Sequence, residues 1–156
     1  MHVGRVRAIL VALMAGVALL LGSAGAASAD AGTAKVVSRF YVEIQTGWQT
    51  WAGTDATVHA KVYGCDDTSG PFVNLDSSAD DFEPGSFRRY GPWNWNLNGV
   101  CQMAIVKYNN GNDWQVDYAN VIDGVTGAVY RCLAADGSGG YFPSAYEWKY
   151  FWCYQV

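Results

Sequence analysis

The sequence contains only two histidines, His2 and His59, and no Cys-x-x-Cys pair, Gly-x-Ser-x-Gly segment or His-Glu-x-x-His segment. These gaps exclude the common zinc sites and the usual activated-serine and zinc-peptidase centres. Basic residues are also scarce, 10 against 14 acidic ones in 156 residues. A surplus of carboxylates argues against nucleic acid as a partner, because phosphate binding needs clustered cations. Only one apolar run is long. It spans Ala8 to Leu21, follows Arg5 and Arg7, and precedes the small-x-small triplet Ala27-Ser28-Ala29. That is the pattern of a secretory signal peptide over residues 1–29, cleaved before Asp30; the apolar length barely allows a membrane-spanning anchor, and the cleavage triplet favours the signal. Removal of Arg5 and Arg7 leaves eight basic residues against 14 acidic ones, a net charge of −6 over residues 30–156. The expected product is a secreted, extracellular single domain of 127 residues with an aromatic C-terminal tail.

Four cysteines, Cys65, Cys101, Cys132 and Cys153, all fall in the exported part. An even number in an oxidising compartment predicts two disulfides, with three possible connectivities.

No amphipathic helical period is present after residue 30. Phe40, Val42 and Ile44 alternate with Tyr41, Glu43 and Gln45, and Val58, Ala60 and Val62 alternate with Thr57, His59 and Lys61. Each run reads as a strand with one face in a core, which puts His59 on the outer face. Further strands are expected at Phe72–Leu75, Ser86–Tyr90, Cys101–Tyr108, Trp114–Ile122 and Ala128–Leu133. Short strands separated by Gly, Asn and Asp clusters predict an all-β antiparallel sandwich.

If each strand reverses direction, alternate connections share a pole. One pole then gathers residues 47–55, 76–85 and 109–113, with Asp55, Asp80, Asp81, Glu83, Asn112 and Asp113. Calcium takes about 6–8 oxygen ligands, and convergent acidic loops supply them; the same residues are also ordinary turn formers. Within the first loop, Thr46-Gly47-Trp48-Gln49-Thr50-Trp51-Ala52-Gly53-Thr54-Asp55 adds two tryptophans to the carboxylate. Glycines there let carbonyl oxygens turn inward, and the indoles form a contact surface. The poles also sort the cysteines. Cys65 ends the second strand and Cys101 opens the fifth, both opposite the acidic loops, so Cys65 is expected to pair with Cys101 and Cys132 with Cys153.

Tyr41-Val42-Glu43-Ile44-Gln45-Thr46-Gly47, Ala52-Gly53-Thr54-Asp55-Ala56, Val62-Tyr63-Gly64, Asp80-Asp81-Phe82-Glu83-Pro84-Gly85-Ser86 and Asn112-Asp113-Trp114 occur in this order. The set resembles the PLAT domain, also called the lipoxygenase homology or LH2 domain, over roughly Ser38 to Cys132. The resemblance implies an eight-stranded sandwich of two four-stranded sheets, in a stand-alone secreted member. It also implies calcium ligands at Gly53, Thr54, Asp55, Asp80, Asp81, Glu83 and Asp113, with Asp80 standing where the family usually has Asn. Family members place aromatic residues beside such ligands to enter lipid interfaces, a role that falls here to Trp48 and Trp51.

The expected function is therefore calcium-dependent contact with a membrane, lipid or protein surface, without catalysis. Asp81 and Asp113 could be imagined as a paired-carboxylate glycosidase site, but calcium ligation explains them without a raised pKa. A different class rests on Pro92-Trp93-Asn94-Trp95-Asn96, expected in a loop at the opposite pole. Rings alternating with amides suit a glycan, although one of Trp93 and Trp95 could simply cap the core, as could Trp148 and Trp152. A protein-interaction or inhibitor module is the remaining alternative.

Overall fold

The computed structural model describes residues 37–77, 81–108, 112–143 and 146–156. The expected signal peptide and Asp80 lie outside the described residues. The alternating runs become antiparallel strands: β1 (Ser38–Thr46), β2 (Thr57–Tyr63), β3 (Val73–Asn74), β4 (Phe87–Trp95), β5 (Gln102–Tyr108), β6 (Trp114–Asp123), β7 (Val129–Ala134), β8 (Tyr141–Phe142) and β9 (Glu147–Gln155). There is no helix among the described residues. The strands follow one hydrogen-bonded path, β3-β2-β5-β9-β7-β6-β1-β4, with β8 added beside β6.

This corrects the expectation of eight strands in two separate four-stranded sheets. The difference lies in the tail. Residues 147–152 of β9 pair with β5, and residues 151–155 pair with β7, so one strand joins what would otherwise be two sheets. The path curls on itself, because residues from both its ends share one core. Val73 of β3 and Trp95 of β4 belong to the same cluster as Val42, Val62, Ile105, Val116 and Phe151. A side chain at Gly70, just before β3, would meet the Trp95 indole at 2.9 Å, so the two ends of the path pack closely there.

β4 is longer than expected and contains the two tryptophans assigned above to a loop. The expected strand stops at Tyr90, but Gly91-Pro92 forms a bulge within the longer strand, opposite the register shift between Phe40 and Val42. The edge position of β4 tolerates a residue without an N–H. Gly91 has φ +107°, and an added Cβ would come within 2.8 Å of the Phe40 carbonyl oxygen. Trp95 is buried and stacks on Phe40 with ring centroids 5.7 Å apart; Trp93 stacks on Trp95 at 5.3 Å. Core packing thus accounts for both rings, and the glycan alternative built on Trp93 and Trp95 is withdrawn. Trp148 and Trp152 go the other way: both are exposed on β9 rather than capping the core. His59 is half-buried on the outer face, edge-on to Tyr108.

Two disulfides join Cys65 to Cys101 and Cys132 to Cys153. The first links the exit of β2 to the entry of β5. The second bridges register partners of β7 and β9, tying the tail strand to the sheet. Each closes a long loop of chain and contributes about 2–4 kcal/mol. On the outer face, side chains bond across four strands: Arg89 of β4 to Glu43 of β1 at 2.6 Å, Asn120 of β6 to Glu43 at 2.9 Å, and Arg131 of β7 to Asn120 at 2.7 Å. Glu43 and Asn120 are buried, and this network satisfies their polar atoms.

Candidate functional site

Backbone hydrogen bonds braid the first two acidic connections together. Thr54 N–H donates to Phe82 O at 3.1 Å, Gly85 N–H to Gly47 O at 2.7 Å and Thr46 N–H to Ser86 O at 2.9 Å. Gln115 at the start of β6 joins them, accepting from Gly47 N–H at 2.8 Å and donating to Ala52 O at 3.1 Å. Gly53 sits where the loops touch. A Cβ there would lie 2.7 Å from Pro84 Cδ and 2.9 Å from Phe82 O, so only glycine allows this approach.

The braid leaves two adjacent cavities. One, of about 390 Å³, is bordered by Trp51, Gly53, Thr54, Asp55, Glu83 and Asn112, among others. The other, of about 280 Å³, is bordered by Thr54, Asp55, Asp76, Ser77 and Asp81. Thr54, buried, and Asp55, exposed, border both and link them. Asp81 is buried, and its Oδ2 accepts Ser77 N–H at 2.5 Å. Asp76 accepts Val58 N–H at 3.4 Å, and the Thr54 hydroxyl oxygen accepts Ala56 N–H at 3.2 Å. Each of these oxygens retains further lone pairs.

Asp113 borders neither cavity. Its Oδ2 accepts the Tyr141 hydroxyl at 2.5 Å, and this bond holds the Tyr141 hydroxyl above its ordinary pKa. Beside it, Lys107 is fully buried and its Nζ donates to the carbonyl oxygens of Asn112 and Phe142. Burial pulls the Lys107 ammonium below the usual lysine value, although Asp113 and Glu147 favour its charge. The third connection is thus anchored from inside by a lysine.

Both loop tryptophans face solvent. Trp48 is 75% exposed, with its ring against Gly85, and Trp51 is 49% exposed, edge-on to Tyr141 with centroids 5.5 Å apart. Most tryptophans bury far more of their surface than these two indoles on one loop.

Of the residues singled out in the sequence, Gly53, Thr54, Asp55 and Glu83 meet at the first cavity, and Asp81 meets Thr54 and Asp55 at the second. Asp113 turns away to Tyr141. Asp76 was missed as a candidate. Its position at the start of the expected acidic connection, two residues after the short β3, was the available signal. The donors are all oxygen, which fits a hard cation such as calcium and not zinc. Among the described residues, no three or more His, Cys, Asp or Glu side chains stand together as a ready metal cluster. A cation here would draw also on hydroxyl, amide and backbone oxygens.

Residues 40–139 match the PLAT/LH2 domain family. No curated protein matches the chain. Among solved structures, the fold is similar to Delta413-417:GS LOX, with a TM-score of 0.61 and 20% identity over 75% of this chain. It is also similar to coral 8R-lipoxygenase, described as calcium-activated via a C2-like domain, with a TM-score of 0.56 and 23% identity over 74% of this chain. In both cases the match covers 16% of the larger protein.

Proposed function

The chain belongs to the PLAT/LH2 domain family, and from that membership we propose that it is a secreted, non-catalytic binding module that contacts a lipid interface in a calcium-dependent way. The observation that carries the proposal is the placing of exposed Trp48 and Trp51 on the loop that also supplies Gly53, Thr54 and Asp55. The calcium activation of coral 8R-lipoxygenase through its C2-like domain supports the same reading.

Oxygens of Gly53, Thr54, Asp55, Asp76, Asp81 and Glu83 would hold the cation; Asp80, expected among the ligands, lies outside the described residues. Bound calcium would supply positive charge against the carboxylates and join the loops that carry them. Without that charge, the carboxylates make the pole repel anionic headgroups. The indoles of Trp48 and Trp51 favour the headgroup region, where the ring is partly desolvated and the N–H stays wet. Extracellular calcium modules work at about 0.1–1 mM, so weak ligation suffices.

The test is sedimentation with phosphatidylcholine/phosphatidylserine vesicles, in calcium and in chelator. Calcium-dependent sedimentation that is lost in the Trp48→Ala/Trp51→Ala double variant supports the proposal. Calcium binding with no sedimentation would move the partner to a protein surface.

A further inference from the structure

The acidic connections differ in what already neutralises them. Among the described residues, no lysine or arginine lines either cavity of the braid, whereas Asp55, Asp76, Asp81 and Glu83 do. The third connection has a cation of its own chain. Lys107 of β5 is the register partner of Val58, shares its inward face and is fully buried. Its Nζ donates to the carbonyl oxygen of Asn112 in the third connection, and to that of Phe142 in β8 at 3.3 Å. Asn112 borders the first cavity, yet its carbonyl oxygen is taken up by this lysine. Asp113 and Glu147 stand near enough to favour the charge on Lys107.

The tail completes the set. Lys149 of β9 lies 2.7 Å from Asp136 and 3.0 Å from Glu147, with its ammonium 5.7 Å from the centre of the Phe142 ring. The Tyr141 hydroxyl of β8 donates to Oδ2 of Asp113 at 2.5 Å. Backbone carbonyls and carboxylates gathered round one positive charge are the oxygen set that calcium also takes. An ammonium does the same work with three N–H donors, and one carried on a side chain is not removed by a chelator.

We propose that Lys107 is the resident cation of the third connection: its ammonium holds the Asn112 and Phe142 carbonyls and offsets Asp113, so that calcium joins only the first two connections. This rests on the calcium reading of the braided loops and narrows it. Asp113, a ligand by family resemblance, is then a partner of Lys107 and Tyr141, and the hold on Asn112 is the same with calcium and without it. Lys107 thus decides which carboxylates at this pole remain for a metal ion.

The experiment is hydrogen exchange read by mass spectrometry, in calcium and in chelator, on the protein and on Lys107→Met. Calorimetry gives the calcium affinity of the protein, Asp113→Asn and Asp55→Asn. Both are run at temperatures where circular dichroism shows each variant folded. In the protein, calcium should slow exchange in residues 47–55 and 81–85 and leave residues 112–114 unchanged. Asp113→Asn should keep the calcium affinity within about threefold, while Asp55→Asn weakens it. Lys107→Met should speed exchange of residues 112–114 in chelator by about tenfold. Slowing of residues 112–114 by calcium to the extent of the other two segments would overturn the proposal. So would a loss of affinity in Asp113→Asn as large as that in Asp55→Asn, or unchanged exchange of residues 112–114 in Lys107→Met. Calcium that slows no segment would instead remove the calcium reading itself, and this proposal with it.

Discussion

The Tyr141 hydroxyl donates to Oδ2 of Asp113 at 2.5 Å, so β8 engages the carboxylate at the start of β6. The same tyrosine ring receives Trp51 edge-on, which connects the first acidic loop to this anchor. Tyr141→Phe should therefore lower the urea midpoint, because it removes a hydrogen bond to a charged group. It should change calcium affinity by less than about threefold, because Asp113 borders neither cavity. The hydrogen bond also sets a titration: Tyr141 should ionise above the ordinary tyrosine range, and Asp113→Asn should bring it down, as read by ultraviolet absorbance.

Lys107 gives a stability prediction with a definite sign. Lys107→Met keeps the stem but leaves the Asn112 and Phe142 carbonyls without their donor, a loss of about 2–3 kcal/mol. Burial holds the folded-state pKa of Lys107 below its unfolded value. Between the two values the unfolded chain binds more protons, so stability should rise with pH as it approaches about 10.4. In alkaline urea melts the stability difference between the parent protein and Lys107→Met should therefore grow in the parent's favour as pH approaches about 10.4.

Much of this fold is readable from strand alternation. Phe40, Val42 and Ile44, and Val58, Ala60 and Val62, are inward as their period demands, and the reversal of strands brings the first two acidic connections together. The tail is not readable that way. From Trp148 to Tyr154 all but Lys149 are apolar or aromatic, so no polar phase marks which face is buried. Only pairing to both β5 and β7 decides it, and that pairing is a tertiary fact. Gly91-Pro92 misleads for a related reason: its chemistry suits a turn and an edge-strand bulge equally, and the neighbour is what chooses. The meeting of Asp55 and Asp81 at one cavity follows from strand reversal, because both lie in connections of the same pole. The orientation of Asp113 was not, since it depends on Tyr141, 28 residues away.

Asp123 predicts an acid response. Burial alone would raise its pKa, but hydrogen bonds from Val125, Thr126 and Ser38 outweigh burial and hold the carboxyl below its usual range. The resulting stability is fully present above the unfolded pKa of about 4 and is lost as pH falls through the lower folded value. Asp123→Asn should flatten that part of the acid unfolding curve, measured by circular dichroism.

The most direct test of the central claim, that the two braided loops hold calcium, is a calorimetric titration of the protein and of Asp55→Asn and Asp81→Asn. The account predicts binding in the range of about 0.1–1 mM, weakened by either substitution. Absence of binding at several millimolar calcium, or affinity that neither substitution changes, would contradict it.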